Sequence, residues 1–320
     1  MKKRLLGKTG LNCSEIGLGT WALGSSVYGD VGNDEATRLV GESLDCGINF
    51  FDTAPLYGSK TVDGIAESVL GKGLGARRDE AIISTKFGRT ARNVMPGRFN
   101  AVEARESCEA SLSRLGTDRI DLLFFHSPFG PDEIDDDVWE ELGRLRSEGK
   151  IRFLGHSVSM YDDTRDMSAQ WMQDRRIDAI QVVLSPFNRE TRPLIKIAMD
   201  LDCGVVAREC MANGFLSGTI GKDTVFPEGS LNSRYSREEI RERVDYAESL
   251  IDHLISGEIE SLPQAAYRWV LDQAGVSLAL SGARNKAEMQ DSVFAANAKS
   301  YEEATLFAAE SIHLQDFCPA

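Results

Sequence analysis

Four ionisable side chains fall where predicted β-strands end, and their types suit proton transfer. Asp52 and Tyr57 follow one apolar run, Lys86 ends the next run and His126 ends the one after that. Asp52 and Lys86 are 34 residues apart, and Lys86 and His126 are 40 apart, which is about the length of one strand, one helix and their loops. Neighbouring parallel strands end at the same rim of a sheet. We therefore expect the four side chains to meet in one site.

Together these four groups predict addition of hydride to a carbonyl carbon, with a proton delivered to the oxygen. A tyrosine phenol has an ordinary pKa of about 10, and a neighbouring Lys86 ammonium favours its phenolate form. Asp52 would hold Lys86 in place and keep it charged. His126 would hydrogen-bond the same substrate oxygen. Tyr57 would then supply the proton as negative charge develops on that oxygen.

Eight short apolar runs, separated by segments of helical period, must position these groups. Runs without polar alternation are typical of parallel strands that are covered on both faces. The runs are residues 15–21, 48–52, 81–86, 120–126, 151–155, 179–184, 204–208 and 276–280. Because no linker-like segment divides the chain, they predict an α/β fold, a single (β/α)8 TIM barrel domain over residues 1–320. Its active site would lie at the C-terminal rim of the strands.

A doubly wound open sheet is the alternative to the barrel. Such a sheet would be expected to carry Gly-x-Gly-x-x-Gly directly after its first strand. The first run instead continues as Gly17-Leu18-Gly19-Thr20-Trp21-Ala22, which lacks the third glycine. The barrel is therefore favoured.

Charge and cysteine pattern narrow the classes of function. The 320 residues include 36 basic and 50 acidic ones, for a net charge of −14, so the excess of Lys and Arg that nucleic-acid backbones require is missing. The six cysteines have neither zinc-site nor redox-motif spacing, which predicts reduced thiols and no metal site. The chain lacks a secretory signal and an apolar segment of membrane-spanning length. We expect a cytoplasmic protein without nucleic-acid or membrane partners.

Three motifs in the chain resemble those of the aldo-keto reductases. They are residues 49–58 (Asn-Phe-Phe-Asp-Thr-Ala-Pro-Leu-Tyr-Gly), residues 84–86 (Ser-Thr-Lys) and residues 121–126 (Asp-Leu-Leu-Phe-Phe-His). The resemblance implies an NAD(P)-dependent oxidoreductase on a barrel with an N-terminal hairpin and extra helices, without a Rossmann domain. It also implies Tyr57 as general acid/base, Lys86 and Asp52 as the pair that tunes it, and His126 as the residue that orients the carbonyl.

The resemblance further implies a nicotinamide cofactor site in which parts of the family pattern are changed. The expected cofactor-binding residues are Gly19, Thr20, Trp21, Ser157, Gln181, Arg208, Gly214, Leu216, Gly218, Gly282, Arg284 and Glu288. Ser157 and Gln181 match residues that hold the carboxamide in the family, but Val158 replaces an Asn beside Ser157. Arg208 stands where the family usually has an aromatic ring stacked on the nicotinamide. Its planar guanidinium could stack there, or could contact substrate or phosphate.

The adenosine end of the cofactor site contains residues that favour NADP and one that is compatible with NAD. Residues 280–285 resemble the family's adenosine-end motif, with Gly282 and the following helix N-terminus as an anion site. Arg284 is the natural partner of a ribose 2′-phosphate, which favours NADP. Glu288 stands where the family commonly has Gln and could instead accept a ribose hydroxyl, so NAD stays an alternative.

Two other functions and several properties stay open at this point. The chain could bind the cofactor as a regulatory or accessory protein with little turnover, or Lys86 could act as a Schiff-base nucleophile without redox chemistry. The expected substrate is a small carbonyl or alcohol, such as an aldehyde, a ketone or a sugar, with Trp21, Tyr28 and Phe129 as pocket walls. The direction of the reaction and the oligomeric state are not decided by the sequence.

Overall fold

A short antiparallel hairpin precedes the barrel and closes its N-terminal end. The computed structural model describes residues 1–24, 32–59, 61–91 and 94–317, so Tyr28 lies outside the described residues. In the hairpin, β1 (Lys3–Leu5) pairs with β2 (Asn12–Ser14). Leu6, Leu11 and Cys13 are buried against the side chains that fill the barrel. The hairpin therefore shields this end of the barrel interior from water.

Eight parallel strands form the closed barrel that the apolar runs predicted. Each strand pairs with the next in chain order, and the last closes onto the first. The strands are β3 (Ile16–Gly19), β4 (Phe50–Asp52), β5 (Ile82–Phe87), β6 (Ile120–His126), β7 (Ile151–Ser157), β8 (Ala179–Val183), β9 (Gly204–Arg208) and β10 (Leu278–Ser281). The (β/α)8 barrel is confirmed and the open sheet is wrong. The first run was predicted as strand through Trp21, but β3 ends at Gly19 and Trp21 begins a helix.

Helices lie between the strands and cover the outside of the barrel. They are α1 (Trp21–Gly24), α2 (Asn33–Asp45), α3 (Ile65–Leu74), α4 (Ala101–Leu115), α5 (Val138–Ser147), α6 (Tyr161–Gln173), α7 (Arg192–Asp200), α8 (Arg237–Leu254), α9 (Leu262–Leu271), α10 (Lys286–Asn297) and α11 (Glu303–Ser311). Capping residues mark several boundaries. Asn100 accepts from the Glu103 N–H at 2.9 Å to begin α4, and Gly116 ends α4 in the left-handed region at φ 64°. Ser236 and Glu239 form a capping box at the start of α8.

Two apolar layers explain why the strands carry unbroken apolar runs. One layer fills the barrel interior and includes Phe50, Leu122, Phe124 and Leu278. The other lies between strands and helices and includes Phe51, Ile83, Leu123 and Phe125. Successive residues of a strand face opposite layers, and each large side chain that is fully buried contributes roughly 1.5–3 kcal/mol. This alternation also decides which polar residues at the strand ends face inward.

The described part of the chain contains no helix long and apolar enough to cross a bilayer. Its five cysteines, Cys13, Cys46, Cys108, Cys203 and Cys210, are free thiols, and Cys318 lies outside the described residues. Burial raises the pKa of the thiols of Cys13, Cys108, Cys203 and Cys210 to about 12, so those four thiols are poor nucleophiles. Over the same ranges, no group of three or more His, Cys, Asp and Glu side chains could hold a metal ion.

Candidate active site

Strand register places three of the four predicted catalytic side chains on the inner side of one rim. Asp52 lies two residues beyond Phe50, and His126 two residues beyond Phe124, both of which face the barrel interior. Lys86 pairs with Phe124 across β5 and β6. Because side chains alternate along a strand, Asp52, Lys86 and His126 all point into the barrel at its C-terminal end.

Lys86 is the centre of the site and is fully buried. Its Nζ donates to Asp52 Oδ2 at 2.7 Å, to the Thr53 carbonyl oxygen at 2.9 Å and to Tyr57 Oη at 3.1 Å. The ammonium therefore uses its three protons on one carboxylate, one backbone carbonyl and one phenol. A buried cation with these partners is held in a single orientation toward Tyr57.

Asp52 is held from its other side by two neutral donors. Its Oδ1 accepts from Ser84 Oγ at 2.7 Å and from Gln181 Nε2 at 2.8 Å. Oδ2 is thereby left to face Lys86. Each oxygen of this buried carboxylate is hydrogen-bonded, as a buried ionised group requires.

Tyr57 reaches the site from the loop between β4 and α3. Its backbone oxygen accepts from the Ala66 N–H at 2.9 Å, and its ring stacks on Trp21 with centroids 6.1 Å apart. A Cβ at Gly24 would come within 2.5 Å of the Tyr57 carbonyl oxygen, so only glycine permits α1 to pack this close. The edge of the ring faces His126, with centroids 5.9 Å apart and planes at 84°.

Burial changes the expected electrostatics of the phenol. It works to lower the pKa of Lys86, but Asp52 and Tyr57 outweigh it and the Lys86 pKa is raised. Burial also raises the pKa of Tyr57, and Lys86 opposes that rise without reversing it. The sequence predicted that Lys86 lowers the pKa of the phenol. Lys86 does act in this direction, but the net shift is upward because desolvation of the phenolate is the larger effect. Tyr57 is therefore a protonated acid at neutral pH.

His126 is a neutral imidazole beside Tyr57. Burial holds its pKa well below the usual range for histidine, and the cations Lys86, Arg89 and Arg208 act in the same direction. A neutral ring carries one N–H donor and one acceptor. It can hydrogen-bond a substrate oxygen without adding a positive charge to the site.

His156 also lies near a strand end, but it does not join the site. It follows Gly155 on β7 and so faces the helices rather than the barrel interior. Its Nδ1 lies 2.7 Å from Ser168 Oγ and its ring packs on Trp171 with centroids 5.1 Å apart. Burial lowers the pKa of His156 to about 3, which makes it a neutral residue of the outer core.

The buried neutral His156 should weaken the protein in acid. Its pKa is about 3 in the folded state and about 6.5 in the unfolded chain, so between these values only the unfolded state binds the proton. This histidine alone then lowers the free energy of unfolding by about 1.4 kcal/mol per pH unit below pH 6.5. Urea unfolding at pH 7 and pH 5 measures this effect. Between these two pH values, the free energy of unfolding of His156→Gln should fall by less than that of the wild type. If the free energy of unfolding of His156→Gln fell by as much as that of the wild type and of a His253→Gln control, this account would be contradicted.

Two predicted carboxamide-binding residues are linked by hydrogen bonds to Asp52. Ser157 Oγ donates to Gln181 Oε1 at 3.2 Å, and Gln181 in turn donates to Asp52. On the other side of Asp52, the Thr20 N–H and hydroxyl both donate to its backbone oxygen, at 2.9 and 3.0 Å. Ser157, Gln181, Thr20 and Asp52 thus form one polar rim, and Gly19 pairs with Asp52 across β3 and β4.

Arg208 ends β9, where the resemblance implied a position facing the nicotinamide. Its guanidinium forms an ion pair with Glu209 and donates to the Val158 carbonyl at 3.1 Å and to Ser159 Oγ at 3.2 Å. These contacts tie the end of β9 to the loop after β7. A cofactor or substrate that contacts Arg208 would have to share it with Glu209.

The turn after β9 carries three of the expected cofactor-binding residues, Gly214, Leu216 and Gly218. Residues Ala212–Ser217 form a 3₁₀ segment, and Gly214 and Gly218 adopt φ of 92° and 74°. The N–H groups of Gly214 and Leu216 donate to the Met211 carbonyl at 2.9 and 3.2 Å, and the Leu216 side chain is fully buried. These two N–H groups thus form hydrogen bonds within the turn itself.

The predicted adenosine-end residues lie at the N-terminus of α10. Asn285 caps this helix by accepting from the Glu288 N–H at 3.0 Å, and Gly282 lies just beyond β10. Arg284 and Glu288 are ion-paired at 2.7 Å, and the Arg284 N–H also donates to the Glu288 carboxylate at 2.9 Å. The predicted phosphate-binding cation and the predicted hydroxyl acceptor are therefore partners of each other.

Comparison with known proteins decides the family. The model of the Aldo/keto reductase family matches residues 15–309. The chain belongs to the aldo/keto reductase family. It is 31% identical over 305 residues to the aldo-keto reductase YhdN of Bacillus subtilis (strain 168), covering 91% of this chain and 87% of that one.

Two further relatives span nearly the whole aldo/keto reductase chain. The NADH-specific methylglyoxal reductase of Escherichia coli (strain K12) is 30% identical over 326 residues, covering 96% of this chain and 97% of that one. The solved structure of a glycerol dehydrogenase from Gluconobacter oxydans is similar with a TM-score of 0.80 and 27% identity, covering 100% of this chain and 98% of that one. The likeness extends from the hairpin to the last helix.

Sequence reasoning missed two residues at the rim of this aldo/keto reductase. Ser84 was part of a recognised motif but was given no role; its place two residues before Lys86 puts it on the same inner face, next to Asp52. Arg89 was not considered, although an arginine just beyond the strand that carries Lys86 is a signal of a charge near the site. It is 4% exposed and donates to the His126 carbonyl oxygen.

Proposed function

We propose that this aldo/keto reductase transfers hydride between NADP(H) and a small carbonyl or alcohol substrate, such as an aldehyde, a ketone or a sugar. The observation that carries the proposal is the buried chain of contacts from Asp52 through Lys86 to Tyr57, at 2.7 and 3.1 Å. A protonated phenol on a fixed ammonium, beside a neutral His126, suits protonation of a carbonyl oxygen. The same groups work in either direction, so the proposal covers reduction and alcohol oxidation.

The groups at the rim fit a nicotinamide dinucleotide. Ser157 and Gln181 offer a hydroxyl and an amide 3.2 Å apart, which together can both donate to and accept from a carboxamide. Arg284 offers a cation at the start of the twelve-residue helix α10, where a phosphate is favoured. When bound, the nicotinamide supplies or accepts the hydride.

In the proposed mechanism, the side chains of this chain handle the proton. His126 and Tyr57 hydrogen-bond the carbonyl oxygen and orient it. Tyr57 gives its proton as charge develops on that oxygen, and the Lys86 ammonium 3.1 Å away stabilises the phenolate that remains. Asp52 keeps Lys86 charged throughout. In alcohol oxidation the phenolate takes the proton back.

NADP(H) is the proposed cofactor, with NAD(H) as the alternative. Arg284 supports NADP because a guanidinium pairs well with a 2′-phosphate. Glu288 supports NAD, since it competes for Arg284 and can accept a ribose hydroxyl. One relative is named as NADH-specific, so both reduced cofactors belong in every assay.

Arg284→Ala should weaken NADPH binding by about 10- to 100-fold, the value of a lost charge-assisted hydrogen bond, and should leave NADH binding nearly unchanged. Glu288→Gln should strengthen NADPH binding, because it frees Arg284 from its carboxylate partner. Fluorescence titration of each variant with both cofactors measures these changes. Equal losses for NADPH and NADH in Arg284→Ala would remove the phosphate role of Arg284.

The lysine-based alternative is disfavoured by the surroundings of Lys86. A Schiff-base nucleophile must be an unprotonated amine with access to the substrate carbonyl. Lys86 is fully buried, donates to three acceptors and has a raised pKa. Its position suits a fixed cation rather than a nucleophile.

Turnover of a carbonyl panel tests the proposal. After titration with NADPH and NADH, the enzyme is mixed with aldehydes, ketones and sugars at several pH values, and with glycerol and the oxidised cofactors. Methylglyoxal and glycerol are included because two relatives are named for them. Oxidation of the cofactor by any carbonyl supports the proposal. Tight cofactor binding without turnover across the panel would favour the regulatory or accessory alternative.

A further inference from the structure

A buried guanidinium lies behind the predicted carbonyl-orienting histidine. Arg89 follows β5 and is 4% exposed. Its Nε donates to the backbone oxygens of His126 and Ser127 at 2.9 and 3.0 Å, and its Nη2 donates to the Ser127 oxygen at 2.8 Å. Ser127 adopts φ 54°, a conformation that is unfavourable for a residue with a side chain. Arg89 therefore fixes the backbone at the point where it turns away from His126.

Glu133 completes this contact and extends it to two loops. Its carboxylate accepts from Arg89 Nη2 at 2.9 Å, from the Phe129 N–H at 2.9 Å and from the Gly97 N–H at 3.0 Å. The loop after β5 and the loop after β6 are thus joined through one ion pair. Side-chain exposure at the two charges is 4% and 14%, so the pair is shielded from water and little screened.

The same guanidinium supports an aromatic ring near the site. The Phe129 ring centroid lies 4.1 Å from Arg89 Cζ, within the range of a cation–π contact. Gly88 precedes Arg89 at φ 93°, and a Cβ there would come within 2.1 Å of the Phe99 ring. Only glycine permits the turn that directs Arg89 inward. Phe129, three residues beyond His126, is half-buried and was predicted from the sequence as a pocket wall.

We propose that Arg89, paired with Glu133, is a positioning residue that fixes the places of His126 and of the Phe129 ring relative to each other. Through these two residues it determines which substrates the site accepts. This inference rests on the proposed carbonyl oxidoreductase function. It names the residues that would set the size of the substrate rather than those that carry out the chemistry.

The charges that face His126 lead to a second measurable effect, a change in the pH at which His126 takes up a proton. Lys86 on β5, Arg89 after β5 and Arg208 on β9 all act to lower the pKa of His126, after burial as the largest cause. The Tyr57 phenol packs edge-on against the imidazole. Removing the charge of Arg89 should therefore allow His126 to take up a proton at higher pH, whereas a lysine at the same position should not.

Three variants and one matched control separate these effects. Arg89→Met removes both the charge and the fork of donors, Arg89→Lys keeps only the charge, and Glu133→Gln removes the partner carboxylate. Arg78→Met is the control. Arg78 precedes β5, donates to the Ala81 and Arg119 backbone oxygens and pairs with Asp121, so it makes the same type of contact at the opposite end of the same two strands.

Two measurements, substrate kinetics and the titration of His126, compare the variants with the wild type. Steady-state kinetics with small and bulky carbonyls, at temperatures well below each melting point, separate KM from kcat. NMR titration of labelled histidine follows His126, assigned with His126→Asn. We expect Arg89→Met, Arg89→Lys and Glu133→Gln to lose about 10- to 100-fold in kcat/KM, mainly through KM and unequally between small and bulky substrates. We expect the His126 titration to move to higher pH in Arg89→Met and to stay in place in Arg89→Lys.

Arg78→Met should lower the melting temperature without changing substrate preference or the His126 titration. The proposal is overturned if Arg89→Met behaves like Arg78→Met in both measurements. If the wild type turns over no carbonyl or alcohol, the proposed function fails, but the His126 titration still decides whether Arg89 acts on this histidine.

Discussion

Tyr57→Phe should nearly abolish turnover while cofactor binding stays unchanged. The substitution removes only the phenol oxygen, and the ring can keep its stacking contact with Trp21. Because general acid catalysis contributes about 10²- to 10⁴-fold, kcat should fall by that factor with the best carbonyl substrate. Fluorescence titration of the reduced cofactor should give the same Kd for variant and wild type.

Tyr301→Phe is a suitable control for this variant. Tyr301 donates its hydroxyl proton to the Leu254 backbone oxygen, remote from the rim, so its loss should affect stability and not kcat. Retained turnover in Tyr57→Phe would show that another group supplies the proton. The assignment of Tyr57 as the acid would then be wrong.

Lys86→Met should lower kcat/KM by about 10²- to 10⁴-fold and change the pH profile. Lys86, more than Arg208, acts against burial to lower the pKa of Tyr57, and it would stabilise the phenolate left after proton transfer. Without it the Tyr57 pKa rises further. Alcohol oxidation needs the phenolate as base, so its increase with pH should move to higher pH in the variant.

Kinetics of oxidation across a pH series measures this shift. An unchanged profile, with only a lower rate, would contradict the proposed tuning of Tyr57 by Lys86. The result also bears on the lysine-based alternative, in which loss of Lys86 would remove activity at every pH.

Lys86→Met leaves the Asp52 carboxylate buried without its partner. The variant Asp52→Asn and the double variant Asp52→Asn with Lys86→Met serve as controls for this effect. Breaking a buried ion pair by removing one partner costs about 3–5 kcal/mol of stability, so Lys86→Met alone should melt at a lower temperature. The double variant has no unpaired charge and should recover part of that stability. Because the pair acts as a unit, the two single losses in kcat/KM should not add.

The sequence was sufficient for the barrel and for the position of the four catalytic candidates. Apolar runs that are buried on both faces have no alternation, which identified parallel strands. Successive side chains of each strand nevertheless point to opposite faces, and this places Asp52, Lys86 and His126 on the inner face of the barrel. It also places His156 on the outer face, because His156 directly follows Gly155, which pairs with the inward-facing Phe124.

Other features depend on tertiary contacts that no local pattern reports. The net upward direction of the Tyr57 pKa arises from desolvation of the phenol, which outweighs the effect of Lys86. Arg284 and Glu288 were read as separate cofactor contacts, but the residues that lead into helix α10 place Arg284 beside Glu288 in its first turn, and the two form an ion pair. Arg89, in the loop after β5, contacts the backbone of His126 at the end of β6, and Ser84 on β5 contacts Asp52 on the neighbouring β4. Such pairs become visible only once the strands are placed side by side.

A single-turnover measurement tests the central claim most directly. The enzyme, saturated with reduced cofactor, is mixed rapidly with a carbonyl substrate, and the loss of reduced-nicotinamide fluorescence is followed in wild type and Tyr57→Phe. This isolates the chemical step from product release. We expect the wild type to oxidise its bound cofactor in one phase and Tyr57→Phe, with equal cofactor occupancy, to be slower by about 10²-fold or more. Equal single-turnover rates in the two proteins would contradict proton transfer by Tyr57.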